Sequence, residues 1–312
     1  MKQKLEKFYK LEKHKQHLRK RFGQDISTQT EKAIDMESKQ KDQFVVAYIR
    51  NFAETESVVS CAKALSSILK KGIILLYIIE PSSSLTTSEA EERMKELVGT
   101  IQSDYLVSYI VLSGSPKVIF SALPEKIGAV CFVASLNENE RSLKKIRPLL
   151  QCFSESRVAY CIAHSPINDT ESLKKIALSI DFERQSKEKV LWASYFGRFF
   201  QSTIECFHYN YKDEFLRKRF GDNQAFVSKM LSSFQVPFHF IEISRGKRWD
   251  LETDALAKAV SSDAGLYISI ATEGKNVFSY FSGTSEEKLL MFNSNMPILF
   301  LNPRKDLYVL CD

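Results

Sequence analysis

Ile176-Ala177-Leu178-Ser179-Ile180-Asp181-Phe182-Glu183 is an apolar run that stops at an acid. It lacks polar alternation, which marks a strand buried on both faces. The strand spans 175–180 and ends at Asp181. Downstream the pattern alternates. Helical spacing over 187–200 precedes a strand at 203–209, then a helix at 213–234 and a strand at 237–243. A helix at 251–261, a strand at 266–271, a helix at 284–292 and a strand at 297–301 complete the unit.

The same order stands upstream. Phe44-Val45-Val46-Ala47-Tyr48-Ile49 is a continuous apolar strand. Helical spacing over 55–71 ends at Gly72, a position suited to a helix C-terminus. Strands follow at 73–79, 105–112, 129–134 and 157–163, separated by helices at 88–103, 116–126 and 138–153, the last expected to break near Pro148. Two copies of one element order, residues 43–165 and 174–303, are joined by a polar linker around Asn168-Asp169-Thr170. Alternating strands and helices without a tight hairpin signal predict parallel strands and right-handed crossovers. The predicted fold is α/β: two tandem Rossmann-like domains, each a doubly wound five-stranded parallel sheet, behind an N-terminal basic helical extension.

Charge separates the extension from the rest. The 312 residues carry a net +6, but residues 1–42 hold 12 Lys+Arg against 7 Asp+Glu, a net of +5. The remainder is close to neutral. A nucleic-acid partner for the whole chain is therefore not expected, and a protein partner docking on residues 1–42 is. No apolar run approaches the roughly 20 residues that span a bilayer, so no membrane association is expected. Residues 304–312 form a short C-terminal tail. Six cysteines, none in C-x-x-C spacing, point to buried free thiols and a reducing, cytoplasmic compartment. Leu18-Arg19-Lys20-Arg21-Phe22-Gly23 recurs as Leu216-Arg217-Lys218-Arg219-Phe220-Gly221. Shared basic-helix composition and a duplicated docking element both account for the match.

The repeats resemble the universal stress protein family in its tandem two-domain form. The opening strand of repeat two, ending in Asp181-Phe182-Glu183, is similar to that family's first strand. Ile204-Glu205-Cys206-Phe207-His208-Tyr209 resembles its second, and Leu75 to Pro81 resembles the same strand in repeat one. Met296-Pro297-Ile298-Leu299-Phe300-Leu301 resembles the final strand. The resemblance implies a sensor or binding protein rather than an enzyme, with ATP or another adenine nucleotide as the ligand. It also implies pairing through the last strands. Two repeats can do this within one chain, and a homodimer is a further expectation.

The family's phosphate loop is Gly-x2-Gly-x9-Gly-(Ser/Thr), whose glycines let backbone N–H groups approach phosphates at a helix N-terminus. Ala271-Thr272-Glu273-Gly274 stands at the first part of that pattern, with Ala271 in place of the first glycine. Gly283-Thr284 arrives one residue early, and Thr284-Ser285 falls at the family spacing. The resemblance thus puts Asp181 beside the ribose and adenine, the backbone near His208 along the base, and Gly274, Lys275, Gly283, Thr284 and Ser285 at the phosphates. The alternative is that Asp181 only caps the following turn. Repeat one has no glycine between 129 and 165, and Arg50 replaces the acid. It is not expected to bind nucleotide. Slow ATP hydrolysis in repeat two is a competing reading, with Asp181 as metal carboxylate. So is an interaction protein with degenerate sites.

Other chemistry finds little support. The five histidines have no placed metal-ligand partners. Neither a Gly-x-Ser-x-Gly elbow nor a Walker A loop occurs. Arg245-Gly246-Lys247-Arg248 is either an anion contact at the ligand edge of the sheet or a solvated loop.

Overall fold

Phe44–Ile49 (β1) is buried at every position, as its unbroken apolar sequence requires. A computed structural model describes residues 43–81, 83–167, 170–246, 250–271, 284–292 and 295–302. The residues 1–42 and 304–312, and with them the first copy of the repeated hexapeptide, lie outside the described residues. The chain divides into two compact units between Ser135 and Leu136.

In the first unit, β1 is followed by α1 (Glu56–Leu69), β2 (Gly72–Ile79), α2 (Thr87–Thr100), β3 (Val107–Ser113), α3 (Pro116–Ile127) and β4 (Ala129–Ser135). The strands lie in the order β3-β2-β1-β4, and the described ladders are parallel. One expectation about local structure changes here. Helix α1 closes on Lys70, whose φ is 56°, and not on Gly72. Gly72 opens β2 instead, where a Cβ would come within 2.8 Å of the Phe44 ring. The absent side chain serves strand packing, not helix termination.

The second unit holds α4 (Leu143–Ser156), β5 (Ala159–Ala163), β6 (Lys175–Ser179), α5 (Ser186–Phe200), β7 (Thr203–His208) and α6 (Glu214–Ser233). It continues with β8 (Phe238–Glu242), α7 (Leu251–Ser261), β9 (Leu266–Ile270), α8 (Ser285–Phe292) and β10 (Ile298–Leu301). The expected break at Pro148 is not there. A 3-10 turn at Glu138–Glu140 precedes α4, which runs through Pro148. Burial of Ile146, Leu149 and Phe153 along one face holds the helix across the missing N–H.

The strand order is β5-β10-β9-β6-β7-β8. The five strands of repeat two are mutually parallel, as expected. β5 pairs antiparallel with β10, through Cys161 opposite Leu299. The last strands of the two repeats therefore meet within one chain. The compact division falls before α4 and β5, because this pairing ties both to the second unit; the repeat in element order divides later, at 165–174.

α5 packs beside α6, and α7 beside α8. Right-handed crossovers place those pairs on opposite faces of the sheet. The chain leaves β6 toward β7 and β8, then returns to β9 on the other side of β6. The crevice at the C-terminal ends of β6 and β9 is the switch point, where doubly wound sheets take ligands. In the first unit the equivalent crevice lies between β1 and β4.

Candidate functional site

The β6–β9 ladder stops at Leu178 opposite Ile268, whereas β6 stays paired with β7 to Ser179 and beyond. The strands thus part at the switch point. Ala177 faces Tyr267 in the ladder, so strand alternation sends Ser179, Tyr267 and Ser269 to one face.

A buried charged network fills this opening. Lys189, on the first turn of α5, is 2% exposed. Its Nζ lies 2.8 Å from Glu252 Oε1 and donates to Ser179 Oγ at 2.7 Å. Ser179 Oγ donates to the same Glu252 oxygen at 2.6 Å. Glu252 Oε2 accepts from Tyr267 Oη at 2.8 Å and Ser269 Oγ at 3.1 Å. Burial by itself raises the Glu252 carboxyl. The Lys189 charge and the hydrogen bonds outweigh it and hold the group below the usual range. The Tyr267 phenol is pushed well up, by burial and then by the Glu252 charge. No spacing rule relates Lys189 to Glu252, 63 positions apart; the sequence signal was a serine near the end of each buried strand, Ser179 and Ser269.

Of the residues expected to hold a nucleotide, Asp181, His208, Ala271, Thr284 and Ser285 are described, and most of their polar groups have partners within the chain. Asp181 Oδ1 accepts from Glu183 N at 2.7 Å and from Ser186 Oγ at 2.6 Å, fixing the turn into α5. Asn223 of α6 donates to the Asp181 and Glu183 carbonyls, both at 2.8 Å, and anchors that turn. His208 ends β7 with Nδ1 3.1 Å from the Tyr209 carbonyl and its ring 4.8 Å from Phe220. Ala271 is buried, and its N–H donates to the Leu301 carbonyl. Gly274, Lys275 and Gly283 lie outside the described residues.

Thr284 and Ser285 open α8, the helix whose N-terminus the resemblance assigns to phosphate. Thr284 N donates to Glu287 Oε2 at 3.0 Å, and Glu287 N donates to Thr284 Oγ1 at 3.3 Å, a reciprocal cap. Arg147 of α4 grips the same carboxylate, with Nε 2.9 Å from Oε1. Glu287 is 2% exposed. A carboxylate paired with an arginine thus caps the α8 N-terminus through the Thr284 and Glu287 amides. Ser285 Oγ is buried and has no hydrogen-bond partner among the described residues.

At the neighbouring loop, Arg245 lies 5.2 Å over the Tyr209 ring. Tyr209 Oη and Gly246 N both donate to Asp254 Oδ2, each at 2.6 Å. The loop is therefore tied to α7. Lys247 and Arg248 lie outside the described residues.

In the first unit, Arg50 crosses the β1–β4 opening, and its Nη1 donates to the Ser135 carbonyl at 3.2 Å. The residue that stands where the resemblance expects an acid thus reaches across the crevice. Phe52 packs on Tyr77 at 4.6 Å between ring centroids, and the Arg93 guanidinium lies 5.5 Å from the Phe52 ring.

Among the described residues no group of three His, Cys, Asp or Glu side chains is placed to hold a metal ion. No helix among them is long and apolar enough to cross a membrane. No family model matches the chain, and no curated protein matches it in sequence. Solved structures do match. A universal stress protein from Archaeoglobus fulgidus DSM 4304 is 13% identical, with a TM-score of 0.62 over 86% of this chain and 98% of that one. A functionally unknown protein from Pseudomonas aeruginosa PAO1 is 12% identical, with a TM-score of 0.58 over 86% and 95%. The cytoplasmic domain of a prokaryotic cation chloride cotransporter is 12% identical, with a TM-score of 0.54 over 86% and 99%. These likenesses establish that the chain has the universal stress protein fold, with its element order present twice.

Proposed function

We propose that the chain is a non-catalytic binding protein of the universal-stress type, acting through protein partners without turning over ATP. One observation carries this reading: the reciprocal cap between Thr284 and Glu287, reinforced by Arg147, already engages two amides at the helix N-terminus where a nucleotide phosphate would bind. The Lys189–Glu252 network in the adjacent crevice and the Arg50 bridge in the first unit support it. Residues 1–42, which carry most of the net charge, remain a proposed docking extension.

A second reading, adenine nucleotide in repeat two, rests on two specific groups. Asp181 Oδ2 accepts no hydrogen bond among the described residues, and Ser285 Oγ is unpartnered there. Thermal melting of the full chain with and without ATP or ADP, together with mass spectrometry of co-purified small molecules, separates the two. An unchanged melting temperature with no bound nucleotide agrees with the first reading. A rise of several degrees that disappears in Asp181→Ala establishes the second. ATP hydrolysis abolished by the same substitution overturns the non-catalytic proposal.

A further inference from the structure

α5 is apolar on both sides. Its inner face buries Val190, Ala193 and Phe196, as a helix over a sheet must. Its outer face carries Leu191, Tyr195 and Phe199 at i, i+4 and i+8, exposed by 36%, 44% and 43%. Phe234, at the end of α6, adds a fourth exposed apolar side chain at 40%. A surface helix normally turns polar residues outward, so a continuous apolar ridge there signals something that covers it.

The exposed charges that α5 itself sets beside this ridge are of one sign. Glu188 and Lys189 are buried, which leaves Lys187 and Arg198 as the charges that α5 presents beside the ridge. Lys187 Nζ sits 5.0 Å over the Phe226 ring. The Arg198 guanidinium lies 4.4 Å over Phe234 and 5.2 Å over Phe199. Neither cation meets a carboxylate among the described residues. Each is held on an aromatic surface with its donors available to an incoming anion.

We propose that this ridge docks an acidic amphipathic helix of a partner protein. Apolar residues at i, i+4 and i+8 form the kind of ridge that fits the groove of a second helix. Lys187 and Arg198, near opposite ends of the ridge, select acidic residues flanking the partner's apolar face. The same charges disfavour other occupants. A second copy packed ridge to ridge sets cation against cation. Residues 1–42 carry a net +5, a charge that does not complement these cations. A single-stranded nucleic acid satisfies the cations but needs open ring faces for stacking, and Arg198 already covers Phe199 and Phe234. This inference is independent of whether either crevice holds a nucleotide.

The test uses the full chain and three fluorescent probes. They are a helical peptide of about five turns with leucines on one face and glutamates on the other, its lysine-for-glutamate counterpart, and a uridine oligonucleotide. The acidic peptide is expected to bind at least about tenfold more tightly than the lysine peptide, with affinity falling as salt is raised. Arg198→Glu and Tyr195→Ser should each weaken it by about tenfold or more without shifting the melting temperature by more than about two degrees. Val118→Ser, at an exposed apolar position of α3, should leave it unchanged. Equal or absent binding of the two peptides overturns the proposal. So does oligonucleotide binding lost in the same variants, or self-association of the full chain abolished by Tyr195→Ser.

Discussion

Lys189 Nζ and Glu252 Oε1 stand 2.8 Å apart and join α5 to α7 across the parted ends of β6 and β9. The pair is buried, and three hydroxyl groups, from Ser179, Tyr267 and Ser269, donate to the Glu252 carboxylate. Such a network fixes two helices on opposite faces of a sheet in one arrangement, provided both charges remain.

Glu252→Gln should therefore be severely destabilising. It leaves the Lys189 ammonium buried without a countercharge, at a cost of about 3–5 kcal/mol in urea unfolding. The double change Lys189→Met, Glu252→Gln should recover part of that loss, since neither charge is then stranded. Acid has a related effect. The Glu252 carboxyl is held below its ordinary value of 4.5, so its contribution is present above that value and is lost as pH falls through the lower, folded one. The double variant should lose that part of the acid sensitivity.

His164 supplies a second pH dependence, in a higher window. Its Nδ1 lies 3.2 Å from the Leu136 carbonyl, and Nε2 is buried without a partner among the described residues. Burial, and then the nearby Arg141 charge, lower its pKa from 6.5 to about 4. Between those values the unfolded chain binds a proton that the folded chain does not. Stability should fall as pH drops from 6.5 toward 4, by at most about 3 kcal/mol from this group. His164→Gln should flatten the stability–pH curve across that window; an unchanged slope would contradict the assignment.

Gly197 lets α5 lie close against the chain entering β8. A Cβ there would lie 2.2 Å from a Val236 methyl group. Gly197→Ala should destabilise by about 1–3 kcal/mol through overpacking, despite the better helix propensity of alanine. Adding Val236→Ala should relieve the clash, so a strongly non-additive double-mutant cycle is expected.

The fold was legible because buried parallel strands write themselves as unbroken apolar runs. Phe44–Ile49 and Ile176–Ile180 needed no tertiary information. Helix starts were legible for the same local reason: Asp213 and Asp250 cap α6 and α7 with their own side chains. Helix ends were less so. Lys70 took the left-handed position that Gly72 was expected to serve, because Gly72 was needed against Phe44. Pro148 did not break α4, because burial of its inner face outweighed one lost hydrogen bond.

The candidate site was legible in position and not in state. Asp181, His208, Ala271 and Thr284 do come to the ligand edge of the sheet, since strand order alone puts them there. That Asp181 caps a turn depends on Ser186 and Asn223, and only folding brings Asn223 to it.

By itself the sequence determined two runs of alternating strands and helices, a near-neutral body and a basic leading segment. These follow from local periodicity and composition, which do not depend on distant residues. Only the tertiary structure decided what stands in the switch-point crevices. Arg50 reaches Ser135 across 85 positions, Lys189 meets Glu252 across 63, and Arg147 meets Glu287 across 140. Each contact depends on where a long side chain ends after the strands have parted, and no sequence spacing encodes that meeting point.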